Sequence, residues 1–341
     1  MYENKRWVIE TIARHDTDAV PYNFSFTPPV RQMVNDYYKV EHLEEDLNFP
    51  IRMGAPVTIK PLYASPDKYG ETIKDEYGVT WNTSRVDRGA PIIPALPEPD
   101  LSGYRFPDPT AAYRFKHLDE WCEANKEHFT MIWVGDLWER ATFMRGMENI
   151  LLDIALNHTF VHDLLRGIAD YVLKTVSILC RRYTFDCIAV SDDYGTQKAM
   201  LMSPADWRKF IKPLLAEIYA VGKDNGKVVF HHSCGNIEPV IGDMIDIGLD
   251  ILHPIQPEAM DIRKLKQEFG GSLSFCGGIR TQDLLPSGTP DEIAAEICEL
   301  KRVMGKGGGY ILEPGITVQT DVPIQNVVAM IDEARKDSTP R

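Results

Sequence analysis

The 341-residue sequence predicts an α/β fold, an eight-stranded (β/α)8 barrel in a single domain spanning 1–341, and three observations predict it. From about residue 112 onward, short apolar runs alternate with amphipathic segments, as strands buried on both faces alternate with helices that cover them. No strand–GxGxxG–helix unit occurs, which disfavours a doubly wound dinucleotide fold. The length suits one barrel, since such barrels run well past the usual ~150 residues per domain.

The elements follow in order. The part from 1 to 110 is irregular: a short helix over Asn4–His15, the apolar segment VPYNFSF at 20–26 read as a strand, and the Pro-rich APIIPALPEPDLSGYRFPDP at 90–109. So many prolines sustain neither a helix nor a central strand, so that stretch reads as an ordered surface loop. The regular part, 111–341, opens with a helix at His117–His128 and a strand at 129–136. Helical periodicity in two pieces covers Asn149–Tyr183, and a strand follows at 185–193. Pro204–Gly222 is a helix, with Ser203 as N-cap and proline at its first position. Strands at 227–234, 250–255, 272–276 and 309–314 alternate with helices at Ile237–Ile247, Ile262–Phe269 and Pro290–Met304, and Pro323–Arg335 closes the chain. GKGGGY at 305–310 lies before a strand, so it reads as a helix stop and tight turn.

Composition removes several function classes. The net charge of -13 opposes nonspecific nucleic-acid binding and attachment to anionic lipid. No apolar run reaches the ~18 residues of a membrane-spanning helix. The start MYENKRWVIETIARHD has no apolar core or small-residue cleavage site, so a cytoplasmic protein is expected. Six cysteines are too few for a disulfide framework and read as reduced thiols.

Barrel active sites lie at the C-terminal ends of the strands. The polar residues predicted there are Asp136, Asp192, Asp193, His232, Cys234, His253, Cys276 and Glu313. His232 and Cys234 stand at i and i+2, on one side of an extended strand. Cys276 ends the next strand but one, and alternate barrel strands share a layer. One imidazole and two thiolates leave a tetrahedral zinc an open position, the pattern of a catalytic metal. Glu313 fills or guards that position. Taken singly, Cys234 and Cys276 also read as buried core thiols, and His231 faces away from His232. Asp192 or Asp193 serves as acid, base or substrate ligand, or else caps the following turn. Phe24, Phe26, Trp133 and Trp138, with Tyr22, cluster near strand ends and suit a flat or aryl ligand, as do Tyr194 and His253. Each aromatic taken singly reads as core. No GxSxG elbow supports a serine hydrolase.

These residues sit in longer stretches with a familiar pattern. HHSCGNIEPVIGDMIDIGLDILHPIQPEAMDIRKLKQEFGGSLSFCGGIRTQDLL, SDDYGTQKAMLMSPADWRKFIKP, GGGYILEPG with DVPIQNVVAMIDEA, NKRWVIETIARHDTDAVPY and DEYGVTW together resemble the uroporphyrinogen decarboxylase superfamily over nearly the whole chain. The resemblance implies a single TIM barrel and one of two chemistries. The true decarboxylases carry an arginine-rich MRQAGRY motif and an essential Asp after the second strand. Here PPVRQMVNDYY offers Arg31 alone, and the Asp region reads LNFPIRMGAP. The corrinoid-linked methyltransferases hold zinc through His-x-Cys and a later Cys, and His232 and Cys234 fall on that motif. Their coenzyme M subtype has its last Cys where this chain has Glu313. The resemblance is therefore nearer to members that demethylate methoxylated aromatics or methylated amines.

The implied reaction moves a methyl group from a small donor, polarised by zinc at His232, Cys234 and Cys276, to a corrinoid (cobalamin) on a separate corrinoid-binding protein. This chain carries no Asp-x-His-x-x-Gly corrinoid signature of its own. A homodimer is compatible with this reading. The competing readings are a cofactor-free decarboxylase that binds carboxylates through Arg31, Arg280 and His232, and a noncatalytic ligand-binding barrel.

Overall fold

The computed structural model describes residues 3–17, 19–58, 63–86 and 89–336. Seven parallel strands form one curled sheet: β1 (Ile51–Gly54), then β5 (Phe129–Gly135), β6 (Cys187–Ser191), β7 (Val228–His232), β8 (Ile251–Ile255), β9 (Ser274–Ile279) and β10 (Tyr310–Pro314) in that spatial order. Between the first two of these in the chain, β2 (Thr72–Lys74), β3 (Thr80–Asn82) and β4 (Pro91–Ile93) make a small antiparallel sheet. The six strands expected after residue 128 are all present, because apolar runs buried on both faces have no other stable place in an α/β protein.

The eighth barrel position is filled by the segment expected as a strand at 20–26. It is extended and bridges to β10 only at two points, Tyr22 to Leu312 and Phe26 to Val318. On its other flank the Asn23 amide reaches Met53 Sδ of β1 at 3.8 Å. The fold is thus a TIM-type barrel closed by one irregular stave.

Alternation along each strand builds two cores. Inward residues Ile51, Met131, Cys187, Ala189, Phe230, Ile251, Cys276 and Ile311 pack with Val8 and Ile12, so the helix Glu3–Ile12 plugs the N-terminal end of the barrel. Outward residues such as Ile188, Val229, Leu252, Phe275 and Leu312 meet the helices. The longest helix, His158–Arg182, buries Val161, Leu164, Leu165, Ile168, Val172, Val176 and Leu179, the three- and four-residue spacing of one helical stripe. Among the described residues, no helix is long and apolar enough to cross a membrane.

Local signals behaved as their chemistry requires. Thr289 and Glu292 form a full capping box on Pro290–Met304, and Ser203 accepts from Asp206 N at the start of Pro204–Phe210. The expected helix Pro204–Gly222 breaks at Ile211 into Pro204–Phe210 and Lys212–Asp224, where Pro213 supplies no N–H to the preceding turn. The Pro-rich stretch is mostly loop but contributes Pro91–Ile93 to the edge of the small sheet. Gly307, Gly308 and Gly309 all have positive φ, as a tight turn before β10 demands.

Candidate active site at the barrel mouth

The mouth is built by three loops drawn together at glycines. A Cβ on Gly195 would lie 2.6 Å from Asn236 N and 2.8 Å from Cys234 O. Gly235 has φ +82, and a Cβ there would meet the backbone of Gly195 at 2.4 Å. The loops after β6 and β7 therefore touch backbone to backbone, stitched by Asn236 N donating to Thr196 O at 2.8 Å. Gly235 N donates to Gln256 Oε1 at 2.7 Å, which brings in the loop after β8.

This close approach fixes Cys234 beside His232. Cys234 Sγ lies 3.5 Å from His232 Nε2, and Cys234 N donates to Asp193 Oδ1 at 2.8 Å. Asp193 Oδ1 is 3.3 Å from His232 Nε2. Ligand atoms of Asp193, His232 and Cys234 all lie within 4.8 Å of one another. The three side chains border a cavity of about 360 Å³ with Glu139, Ser191, Thr27, Tyr63 and Gln319. Burial disfavours the His232 imidazolium, but the bonds to Asp193 and Cys234 outweigh that and push its pKa up.

A second group lies deeper. Cys276, His253 and Glu313 are 1%, 7% and 6% exposed, and their ligand atoms also fall within 4.8 Å of one another. The Cys276 thiol donates to Glu313 Oε2 at 3.0 Å, and the Asn23 amide donates to Glu313 Oε1 at 2.9 Å. Burial pushes the Glu313 carboxyl up to about 7, and burial with the neighbouring Glu313 raises the Cys276 thiol. His232 Nδ1 and His253 Nδ1, 2.8 Å apart, join the two groups.

The expected set of His232, Cys234 and Cys276 is therefore divided between two clusters. The strand expected at 272–276 runs from Ser274 to Ile279, so Cys276 sits within it, below the mouth. Cys234 lies beyond the end of its strand and is drawn toward Asp193.

The two adjacent aspartates face different surroundings. Asp192 is fully buried: its Oδ1 accepts from Leu137 N at 2.9 Å and Glu139 N at 2.7 Å, and its Oδ2 from the Tyr194 hydroxyl at 2.7 Å. It anchors the start of the helix Trp138–Arg145. Burial pushes its carboxyl up to about 8 against those hydrogen bonds. Asp193 alone of the pair lines the cavity.

The aromatic set also divides. Trp133 faces inward, edge-on to Phe230 at 5.8 Å and His232 at 6.4 Å. Phe24 and Phe26 pack with Tyr22 and Phe49 and line a separate cavity of about 640 Å³. Trp138 and Tyr194 belong to the core outside the barrel wall, where Tyr194 stacks on His231, so neither lines the mouth. His231 points outward, as its position beside His232 dictates, and shares a 2.7 Å hydrogen bond with the Tyr219 hydroxyl.

Glu139, Gln256 and Asn23 were not singled out from the sequence. Asn23 carried a signal, as the polar residue interrupting VPYNFSF. Gln256 directly follows a strand end. Glu139 sits one turn past the expected strand at 129–136.

The sequence model for uroporphyrinogen decarboxylase (URO-D) matches residues 88–336. No curated protein sequence matches the chain. Among solved structures, a methyltransferase from Methanosarcina mazei is similar over 98% of this chain and 99% of its own, at 18% identity and a TM-score of 0.71. A glycosylated endo-β-1,4-xylanase from Gloeophyllum trabeum matches 71% of this chain and 84% of its own at 10% identity, with a TM-score of 0.42. With the family pattern spanning most of the chain and the barrel it requires in place, the protein belongs to the uroporphyrinogen decarboxylase family.

Proposed function

We propose that this barrel is a zinc-dependent methyltransferase that moves a methyl group from a small donor to a corrinoid carried by a partner protein. A methoxylated aromatic or a methylated amine is the donor class. The observation that carries the reading is the convergence of Asp193, His232 and Cys234 at the rim of the 360 Å³ cavity. An oxygen, a nitrogen and a thiolate donor fit zinc and leave one tetrahedral position for the donor. The likeness to a methyltransferase barrel over 98% of this chain and 99% of the other supports the same reading.

Bound zinc supplies Lewis acidity toward the donor heteroatom. The remaining work falls to this chain. The hydrogen bond to His253 holds the His232 ring at a fixed angle. Asp193 grips the Cys234 amide and sets the thiol against the imidazole. Trp133 offers an aromatic edge beside His232, and Glu139, 9% exposed, is placed at the cavity wall to hold a proton of the leaving group. Tyr63 and Ile316, 42% and 37% exposed, give the mouth an apolar rim where a partner domain can seat.

The decarboxylase alternative needs cations facing the cavity. Arg31 is held by both oxygens of Glu44 at 2.9 and 2.6 Å, and Arg280 by Glu296 and Asp283. Among the described residues lining the cavity there is no Arg or Lys.

The test is transfer from a panel of methoxylated aromatics and methylated amines to free reduced corrinoid, followed by absorbance. The expected outcome is turnover of at least one donor, its loss on chelation, and its return with zinc. A turnover indifferent to chelation, or conversion of porphyrinogens without any methyl transfer, would overturn the proposal.

A further inference from the structure

The buried cluster of His253, Cys276 and Glu313 enters the reaction just described only through the hydrogen bond of His253 to His232, yet it carries three ligand types at binding separation. Three observations set it apart from an ordinary buried polar group. Its ligand atoms converge within 4.8 Å although they come from three successive strands, β8, β9 and β10. His253 Nε2 has no hydrogen-bond partner, although the residue is only 7% exposed, and it points toward Glu313 Oε2 at 3.7 Å. The surroundings are apolar: Phe230 stacks on the His253 ring at 5.1 Å, and Cys276 packs among Cys187, Phe230 and Ile311. An unsatisfied imidazole nitrogen in such a place is costly, and a cation at the centre of the triad would give it a partner.

We propose that His253, Cys276 and Glu313 form a second metal site, for zinc or another thiophilic divalent ion, distinct from the mouth site. One nitrogen, one sulfur and one carboxylate oxygen again leave a fourth position. Asn23 already orients Glu313 through Oε1, as an outer hydrogen bond orients a metal ligand, which leaves Oε2 for the ion. On binding, the thiol proton that Cys276 now directs at Glu313 leaves to the buffer.

The test is cobalt(II) titration of the purified full-length chain, read by the thiolate-to-cobalt charge-transfer band. Cys234→Ser removes the mouth thiolate, so a remaining band that Cys276→Ser abolishes reports Cys276 and not one of the other free thiols. The expected result is that Cys234→Ser still binds cobalt with a thiolate band. Adding Cys276→Ser abolishes that band, and adding the isosteric Glu313→Gln instead weakens binding at least about tenfold. A Cys234→Ser protein that keeps its native circular dichroism but shows no thiolate band overturns the second site. A band that survives Cys276→Ser in the Cys234→Ser background overturns it equally. The single variant Cys276→Ser tests the mouth separately: it keeps a band from Cys234 if the mouth site stands, whatever becomes of the deeper one.

Discussion

At the scale of single residues, Asp192 shows how a strand-end carboxylate can serve structure instead of chemistry. Three donors end on it, two of them backbone amides at the start of the helix that carries Glu139. Asp192→Ala strands all three in a buried site, so a loss of at least about 3 kcal/mol is expected in a urea titration. A loss below about 1 kcal/mol would mean that water replaces the carboxylate there. Its neighbour Asp193 differs by one position and faces the cavity. The sequence SDDYG offers no means of telling them apart, because only the closure of the Gly195 and Gly235 loops decides which one turns inward.

His128 makes a second prediction at this scale. Burial, aided by Arg52 with Nη2 at 3.1 Å, lowers its pKa to about 4. The folded state thus keeps the ring neutral where the unfolded chain takes up a proton. Stability contributed by this group is whole above the ordinary histidine value and is lost as pH falls from about 6.5 toward 4. In urea midpoints at pH 7 and pH 5, His128→Gln should flatten the acid slope by about 1 kcal/mol, the figure being discounted because the ring is partly exposed. An unchanged slope would show that the group is solvated.

At the scale of elements, the strands after residue 128 were legible because each is an apolar run bounded by turn residues. The β1 strand was not. Ile51–Gly54 is only four residues long and contains Arg52, whose buried guanidinium donates through Nη1 and Nη2 to the carbonyls of Phe49 and Glu44, a tertiary arrangement with no local signature. The nearness of His232 and Cys234 was expected from alternation along one strand, but the strand ends at His232, and Cys234 is set beside it by the bond of its amide to Asp193. The pairing of Cys276 with Glu313 could not be read, since it depends on the register that sets Ile311 beside Cys276 and Glu313 beside Gly278. The loop contact at Gly195 gives the element-scale test. A methyl group there meets backbone atoms on three sides, none of which can rotate away. Gly195→Ala should destabilise by about 1–3 kcal/mol and also weaken metal binding at the mouth by displacing Cys234. A variant with wild-type stability and wild-type metal affinity would show that the loops are not held this closely in solution.

At the scale of the whole molecule, the small antiparallel sheet β2–β4 and its flanking loops form a lid at the barrel mouth, whereas the helix Glu3–Ile12, the stave at 20–26 and β1 from the same part of the chain belong to the barrel itself. Asp75 accepts the Trp81 indole N–H at 2.9 Å and pairs with Arg140 at 3.1 Å, and Arg140 also holds Asp136 at the end of β5. The small sheet is thereby locked to the mouth, and Tyr63 and Gly89 from this region complete the cavity wall. The barrel itself was readable from alternation, but the lid was not, because its order comes from ion pairs distant in the chain. If the mouth donors carry methyl transfer, as proposed, removing the Cys234 thiol removes the transfer. Zinc-loaded wild type and Cys234→Ala are assayed side by side for transfer from an accepted donor to free reduced corrinoid. The predicted result is a loss of about two to three orders of magnitude in the variant, the effect of several kcal/mol of lost charge stabilisation. Transfer at the wild-type rate in Cys234→Ala would contradict it.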